Sequence, residues 1–317
     1  MSIAPRCLAE ARGANIRVIL RAFAGLGERM MLARFFTTKL THKQIFTALT
    51  CCFLSLCVPA LAAQLAFGKR ALEIPPPDGF VALAQRAPQY IVASQAYLPT
   101  SNRLVDSYAS SKAADLLAAG TPTNLDRYFQ LQTLRKVEGV ALSSADFLAA
   151  RSEIEASFDK ALKDVDVQKL ATSGNAAVKK QTANDPQIAL SDVQSQGVFR
   201  REPWGLFFTV KSRVSTAAGS SDLICAGALA LINHQLMYLN AYSDYNGPAD
   251  REWVQRAVSA WADAVHAANP DDPSVAAQVR PFGGFDWSQL RDKALFGAAI
   301  GAFVGIVIAL VRRRKPR

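Results

Sequence analysis

Apolar positions along the chain fall into three patterns. The first is an unbroken run, Ile45 to Val58, preceded by Arg34, Lys39 and Lys43 and followed by Pro59-Ala60-Leu61-Ala62-Ala63. A positive start, a short apolar centre and small residues three and one before the cut are the parts of a secretory signal peptide, here residues 30–62. Ala60 and Ala62 occupy the two small-residue sites and place cleavage after Ala62; the alternative is an uncleaved signal anchor. Cys57 follows the bulky Leu56, which argues against lipidation of that cysteine. Residues 1–29 read as an Arg-rich leader extension, either from an upstream start codon or, less well matched, a transit peptide.

The second pattern is Ala294 to Val311, eighteen residues without a charge between Lys293 and Arg312. As a helix it spans about 27 Å, close to the roughly 30 Å hydrocarbon core, and flanking arginines can snorkel to make up the difference. Arg312, Arg313, Arg314, Lys315 and Arg317 form a basic tail over 312–317 that holds the C-terminus in the cytoplasm. Arg34, Lys39 and Lys43 hold the start of the first segment on the same side, so the region between lies across the membrane, in the periplasm. Gly297, Gly301 and Gly305, continued by Ala309, recur every four residues and give this span a smooth face for close helix packing, with a second copy or another membrane protein as partner.

Between these segments the pattern is that of a folded domain, 63–268. Ile74-Pro75-Pro76-Pro77-Asp78-Gly79-Phe80 predicts an extended entry leading into Phe80–Leu83, followed by a short helix from Pro88 to Leu98 and strands at Asn102–Ala109 and Asp126–Val137. Ser143 to Asp146 starts a helix whose apolar stripe, Phe147, Ile154, Phe158, Leu162 and Val165, faces a core; Gly174 and the polar stretch through Pro186 end it. Strands follow at Asp192–Arg201, Leu206–Val214, Ser221–Ile232 and Gln235–Ser243. Asn233-His234 suits a two-residue hairpin turn, since asparagine tolerates positive φ. Pairing about that turn sets Leu231 opposite Leu236, Leu229 opposite Tyr238 and Cys225 opposite Tyr242. Both faces of this hairpin are apolar, which places it centrally in a sheet covered on two sides. Asp250 then caps a helix bearing Trp253, Val254, Ala257, Val258, Trp261 and Val265, and a Pro- and Asp-rich tether occupies 269–293.

The fold class is therefore α/β in the α+β sense: an antiparallel sheet between helices, plus one C-terminal transmembrane helix. The order of entry, strands, long helix, two hairpins and a Trp-bearing helix resembles PsbP-like and Mog1-like domains. The entry Ile74 to Phe80 is similar to the "P-x-G-F" opening of those domains, and Leu223 to Trp261 is similar to their closing hairpin and helix. The segment Asp146 to Asp185 is an insertion relative to that layout. The resemblance implies a binding or assembly role more than an enzymatic one and carries over no catalytic residue.

Charge refines the picture. The chain carries 36 Lys plus Arg against 26 Asp plus Glu, but the excess sits in the leader and the tail, and residues 63–311 have a net charge of −1. This removes most of the case for nucleic acid, whose binders neutralise phosphates with a basic surface. One basic, aromatic-bearing surface is a candidate for an anionic headgroup, glycan or acidic partner: Arg200, Arg201, Trp204, Lys211 and Arg213.

Candidate chemistry is sparse. Cys225 is the one cysteine after the signal segment and reads as a buried hydrophobe. His234 reads as an exposed turn residue and His266 as a cation near a helix C-terminus. The segments Asp244 to Asp250 and Asp271-Asp272 lack calcium-loop spacing, and the sequence points to no cofactor, metal or catalytic residue. The expectation is a non-enzymatic, inner-membrane-anchored periplasmic binding or assembly domain; the alternative is a membrane-tethered envelope hydrolase whose carboxylates meet only in the fold.

Overall fold

The computed structural model describes residues 63–279, apart from 69, 122, 165, 183–185, 218 and 278. The expected leader extension, the signal segment, the Ala294–Val311 span and the basic tail lie outside the described residues. Among the described residues no helix is long and apolar enough to cross a membrane.

The chain forms an α+β fold. Its elements are β1 (Ala63–Phe67), β2 (Arg70–Ile74), β3 (Phe80–Ala82), α1 (Pro88–Gln95), β4 (Asn102–Ser110), α2 (Ser111–Ala118), β5 (Arg127–Leu134), α3 (Ser144–Lys163), α4 (Val167–Thr182), β6 (Ala189–Glu202), β7 (Gly205–Thr216), β8 (Gly219–Ile232), β9 (Gln235–Asp244), α5 (Pro248–Ala268) and α6 (Pro273–Ala276). Seven strands make one antiparallel sheet in the order β3-β4-β5-β9-β8-β7-β6, and β1 and β2 form a separate hairpin.

The β8–β9 hairpin sits where its two apolar faces require. Its register pairs Leu231 with Leu236, Leu229 with Tyr238 and Cys225 with Tyr242, the pairing that the Asn233-His234 turn predicts. Both turn residues take positive φ, 42° and 64°, which matches the right-handed twist of the flanking strands. One face of the sheet, carrying Phe208, Leu229 and Tyr238, packs against α1, α2, α3 and α4 through Tyr90, Leu117, Phe158 and Val178. The other face, carrying Phe129, Ala226, Ala228 and Met237, packs against α5 and the β1–β2 hairpin through Val254, Val258, Trp261 and Phe67. Small side chains on that face of β8 let α5 lie close to the sheet, while the indole of Trp261 donates to the Pro75 carbonyl at 2.9 Å.

Several expectations change. The segment after Ser143 is two helices, α3 and α4, and Gly174 lies inside the second instead of ending the first. The start of α3 is as expected: the Ser143 hydroxyl accepts from the Asp146 amide at 2.9 Å and donates to its carboxylate at 2.6 Å. Helix α5 begins earlier than expected, with Gly247 at its cap, and Asp250 instead accepts the Asn246 amide from inside the first turn. The hairpin β1–β2, the helix α2 and the short helix α6 within the tether were not legible in the pattern, being short or weakly periodic.

Candidate ligand-binding cleft

Strand ends and helix starts converge at the end of the sheet opposite the Asn233-His234 turn. They enclose a cleft of about 560 Å³ lined by Phe80, Ser110, Asn124, Asp126, Arg127, Ser243, Asp244, Asn246 and Asp250, with Ala113 and Leu125. Each wall is placed by a local rule. Ser110 closes β4 and caps α2 by accepting the Ala113 amide. Antiparallel pairing of β5 with β9 puts Arg127 opposite Ser243, and the Asp244 amide continues that ladder to the Asp126 carbonyl at 3.1 Å. The first turn of α5 brings in Asp250.

The polar side chains are held in position. Asn124 donates to Asp126 at 2.9 Å. The Asn246 amide donates to the Asp250 carboxylate at 2.9 Å, whose other oxygen lies 3.7 Å from the Arg127 guanidinium. That guanidinium in turn sits over the Trp253 ring, 4.4 Å from its centroid, a cation–π contact that fixes its plane. Burial pushes the Asp244 carboxyl above the usual aspartate range, Asp126 and then Asp250 add to the rise, and the Asn124 amide opposes it. Three aspartates against one arginine give the cleft a negative potential that favours cationic and hydrogen-bond-donating groups. Among the described residues no group of three or more His, Cys, Asp or Glu side chains is arranged to hold a metal ion.

The five residues expected to share one basic surface divide between the two sides of the sheet, each cation next to an acid. Arg200 lies on the α5 side of the sheet, paired with both oxygens of Asp263 at 2.8 and 2.9 Å and with Glu202. Arg201 points to the other layer, where it pairs with Glu155 of α3. Lys211 and Arg213 share Asp222, and Arg213 also approaches Asp192. Trp204 is stacked on His266 with centroids 4.4 Å apart. Acid partners neutralise these cations, and alternation along β6 sends Arg201 to the face opposite Arg200, whose guanidinium carbon stays 5.8 Å from the Trp204 ring centroid.

His234 also departs from its expected exposure. It is 7% exposed, with Nδ1 2.9 Å from the Leu142 carbonyl, while the Leu142 amide donates to the His234 carbonyl. The loop after β5 thus clamps the hairpin turn. Cys225 is buried, and burial pushes its thiol far above the usual range, so it remains a protonated apolar side chain.

Sequence reading reached the cleft only at one wall, the Asp244 to Asp250 segment. Asn124, Asp126 and Arg127 lie in an unremarkable loop and strand start more than a hundred residues earlier, and the one local sign of them was the polar cluster before β5. No protein-family model matches the chain, and no curated protein matches it.

Proposed function

We propose that this protein is a non-enzymatic binding or assembly domain, exported and anchored in the inner membrane by Ala294–Val311, with its partner seated at the Asp126–Asp244–Asp250 cleft. The observation that carries this reading is the cleft itself. Its carboxylates are pinned by Asn124, Asn246 and Arg127, which suits recognition of a donor-bearing group on a protein or envelope component. The resemblance that the sequence's element order suggests to PsbP-like and Mog1-like domains points to the same reading. So does the pairing of Ala63 with Ile74, which gives the residue after the expected cut a place in the fold. Membrane pairing through Gly297, Gly301, Gly305 and Ala309 belongs to this proposal, with a second copy or a membrane protein as partner.

One observation favours the hydrolase reading. Burial, and next to it the charge of Asp126, hold Asp244 toward its protonated form, and a raised carboxyl with a second carboxyl near it is an arrangement that can supply a general acid. Cross-linking and co-purification of the anchored chain, compared with Asp126→Asn/Asp244→Asn, separates the two. Loss of a captured component in the variant supports binding. Unchanged capture together with loss of hydrolysis of envelope glycan or peptide supports the enzyme.

A further inference from the structure

Away from the cleft, the α1–α4 face of the sheet carries polar side chains at its centre, where apolar packing is the rule. Strand register sets Ser107 opposite Gln130, Gln130 opposite Asn240 and Asn240 opposite Gly227, so three polar side chains lie side by side on adjacent strands, on the same face as Tyr128, Tyr238 and Tyr242. Ser107, Gln130, Asn240, Tyr90 and Tyr238 are each no more than 1% exposed. Among the described residues, the Ser107 hydroxyl, Gln130 Nε2, both side-chain atoms of Asn240 and the Tyr238 hydroxyl find no hydrogen-bond partner, and the Tyr90 hydroxyl has only the Ser94 side chain near it.

The Gln130 orphan follows from a directed chain. Asn102 donates its amide to Gln132 at 3.4 Å, and Gln132 donates to Gln130 at 3.1 Å, which leaves Gln130 Nε2 as a terminal donor. Asn240 offers a donor and an acceptor, and each hydroxyl offers both. A buried polar group left unpaired is costly, and native interiors close such groups with protein or ordered water. A set that mixes donors and acceptors selects the occupant: a cation satisfies only the acceptors and an anion only the donors, whereas water satisfies both. No carboxylate or guanidinium belongs to the set, and burial holds the Tyr90 and Tyr238 phenols protonated. Neighbouring strands stand about 4.8 Å apart, a separation at which one water bridges side chains that do not meet directly.

We propose that Ser107, Gln130 and Asn240, with the Tyr90 and Tyr238 hydroxyls, form an internal hydration site: a cluster of ordered waters between the centre of the sheet and α1. Gly227 makes the site possible, since a Cβ there would stand 2.7 Å from Asn240 Oδ1 and 2.7 Å from the Phe208 ring.

The test is oxygen-17 water relaxation dispersion on the full chain in detergent, comparing the wild type with Asn240→Leu and Ser107→Ala. Long-lived waters in the wild type, with a dispersion amplitude that falls by at least one water in Asn240→Leu, are the expected result. No long-lived water in the wild type, or equal amplitude in a folded Asn240→Leu, overturns the proposal. Should that variant fail to fold, a crystal structure of the wild type at a resolution that shows waters decides. Density bridging Asn240, Gln130 and Ser107 supports the site, and side chains rotated to bond one another directly overturn it.

Discussion

Gly174 of α4 lies flat against the ring of Tyr97: a Cβ at Gly174 would stand 2.3 Å from Tyr97 Cδ1. Glycine inside a helix ordinarily costs about 1 kcal/mol relative to alanine. Here the contact reverses the sign, because overpacking a filled site costs about 1–3 kcal/mol. Tyr97 also donates to Asn175 at 3.1 Å, and Asn175 donates to the Ile188 carbonyl at 2.8 Å, so the ring has little room to retreat. Gly174→Ala is expected to lower thermal stability despite its better helix propensity, and Tyr97→Leu in the same chain is expected to recover part of the loss; calorimetry of the single and double variants checks both.

Asn269 ends α5 and ties it to the first hairpin. Its side chain accepts the Glu73 amide at 2.8 Å and donates to the Glu73 and Val265 carbonyls, both at 2.7 Å. Asn269→Ala leaves these backbone groups without partners, and the loss should be about 1–3 kcal/mol. Denaturant unfolding measures it. Hydrogen exchange should show residues 63–74 opening ahead of the central strands, and uniform exchange across both regions would contradict a local tie.

A buried carboxyl, Asp106, and a half-buried one, Asp244, make stability depend on pH in a direction opposite to the usual surface aspartate. Asp106 accepts the Leu83, Ala84 and Ser107 amides on one oxygen, Oδ1. Burial outweighs those bonds and raises its pKa above 3.8, and Asp244 is raised by burial and by Asp126. A folded-state pKa above the unfolded value gives stability that is fully present below the unfolded pKa and lost as pH rises through the folded one. Asp106→Asn keeps the acceptor oxygen and removes the titration. Its stability relative to the wild type should therefore increase as pH rises from below 3.8 through the carboxylate range, as read by denaturant midpoints at each pH. A constant difference would remove the burial argument.

Topology is tested apart from the fold. Reporter fusions at Pro270 and after Arg317 should be active on opposite sides of the membrane, and activity on the same side would rule out the single-pass arrangement.

The proposed anchor, with glycines at 297, 301 and 305, predicts that Gly301→Leu weakens association of the chain in membranes, since a large side chain at a small-residue seam would keep two helix backbones apart. An oligomer unchanged in detergent cross-linking would leave the glycine spacing without a packing role.

Local periodicity and turn chemistry by themselves determined the strands from Asn102 onward, the register of β8 with β9 and the central place of that hairpin. These depend on residues near each other in the chain: alternation at a period of two, and an asparagine that tolerates positive φ. Sequence also set the export and anchoring expectation through charge placed beside apolar runs. Tertiary structure alone decided the rest. Asp126 and Asp244 meet because β5 and β9 pair across more than a hundred residues, and no spacing rule encodes that. The Arg200–Arg201 surface came apart because consecutive residues of a strand face opposite layers, each with its own acid, Asp263 or Glu155. Gln130 and Asn240 are polar strand residues that packing removes from solvent, and only burial turns an ordinary amide into one that demands a partner.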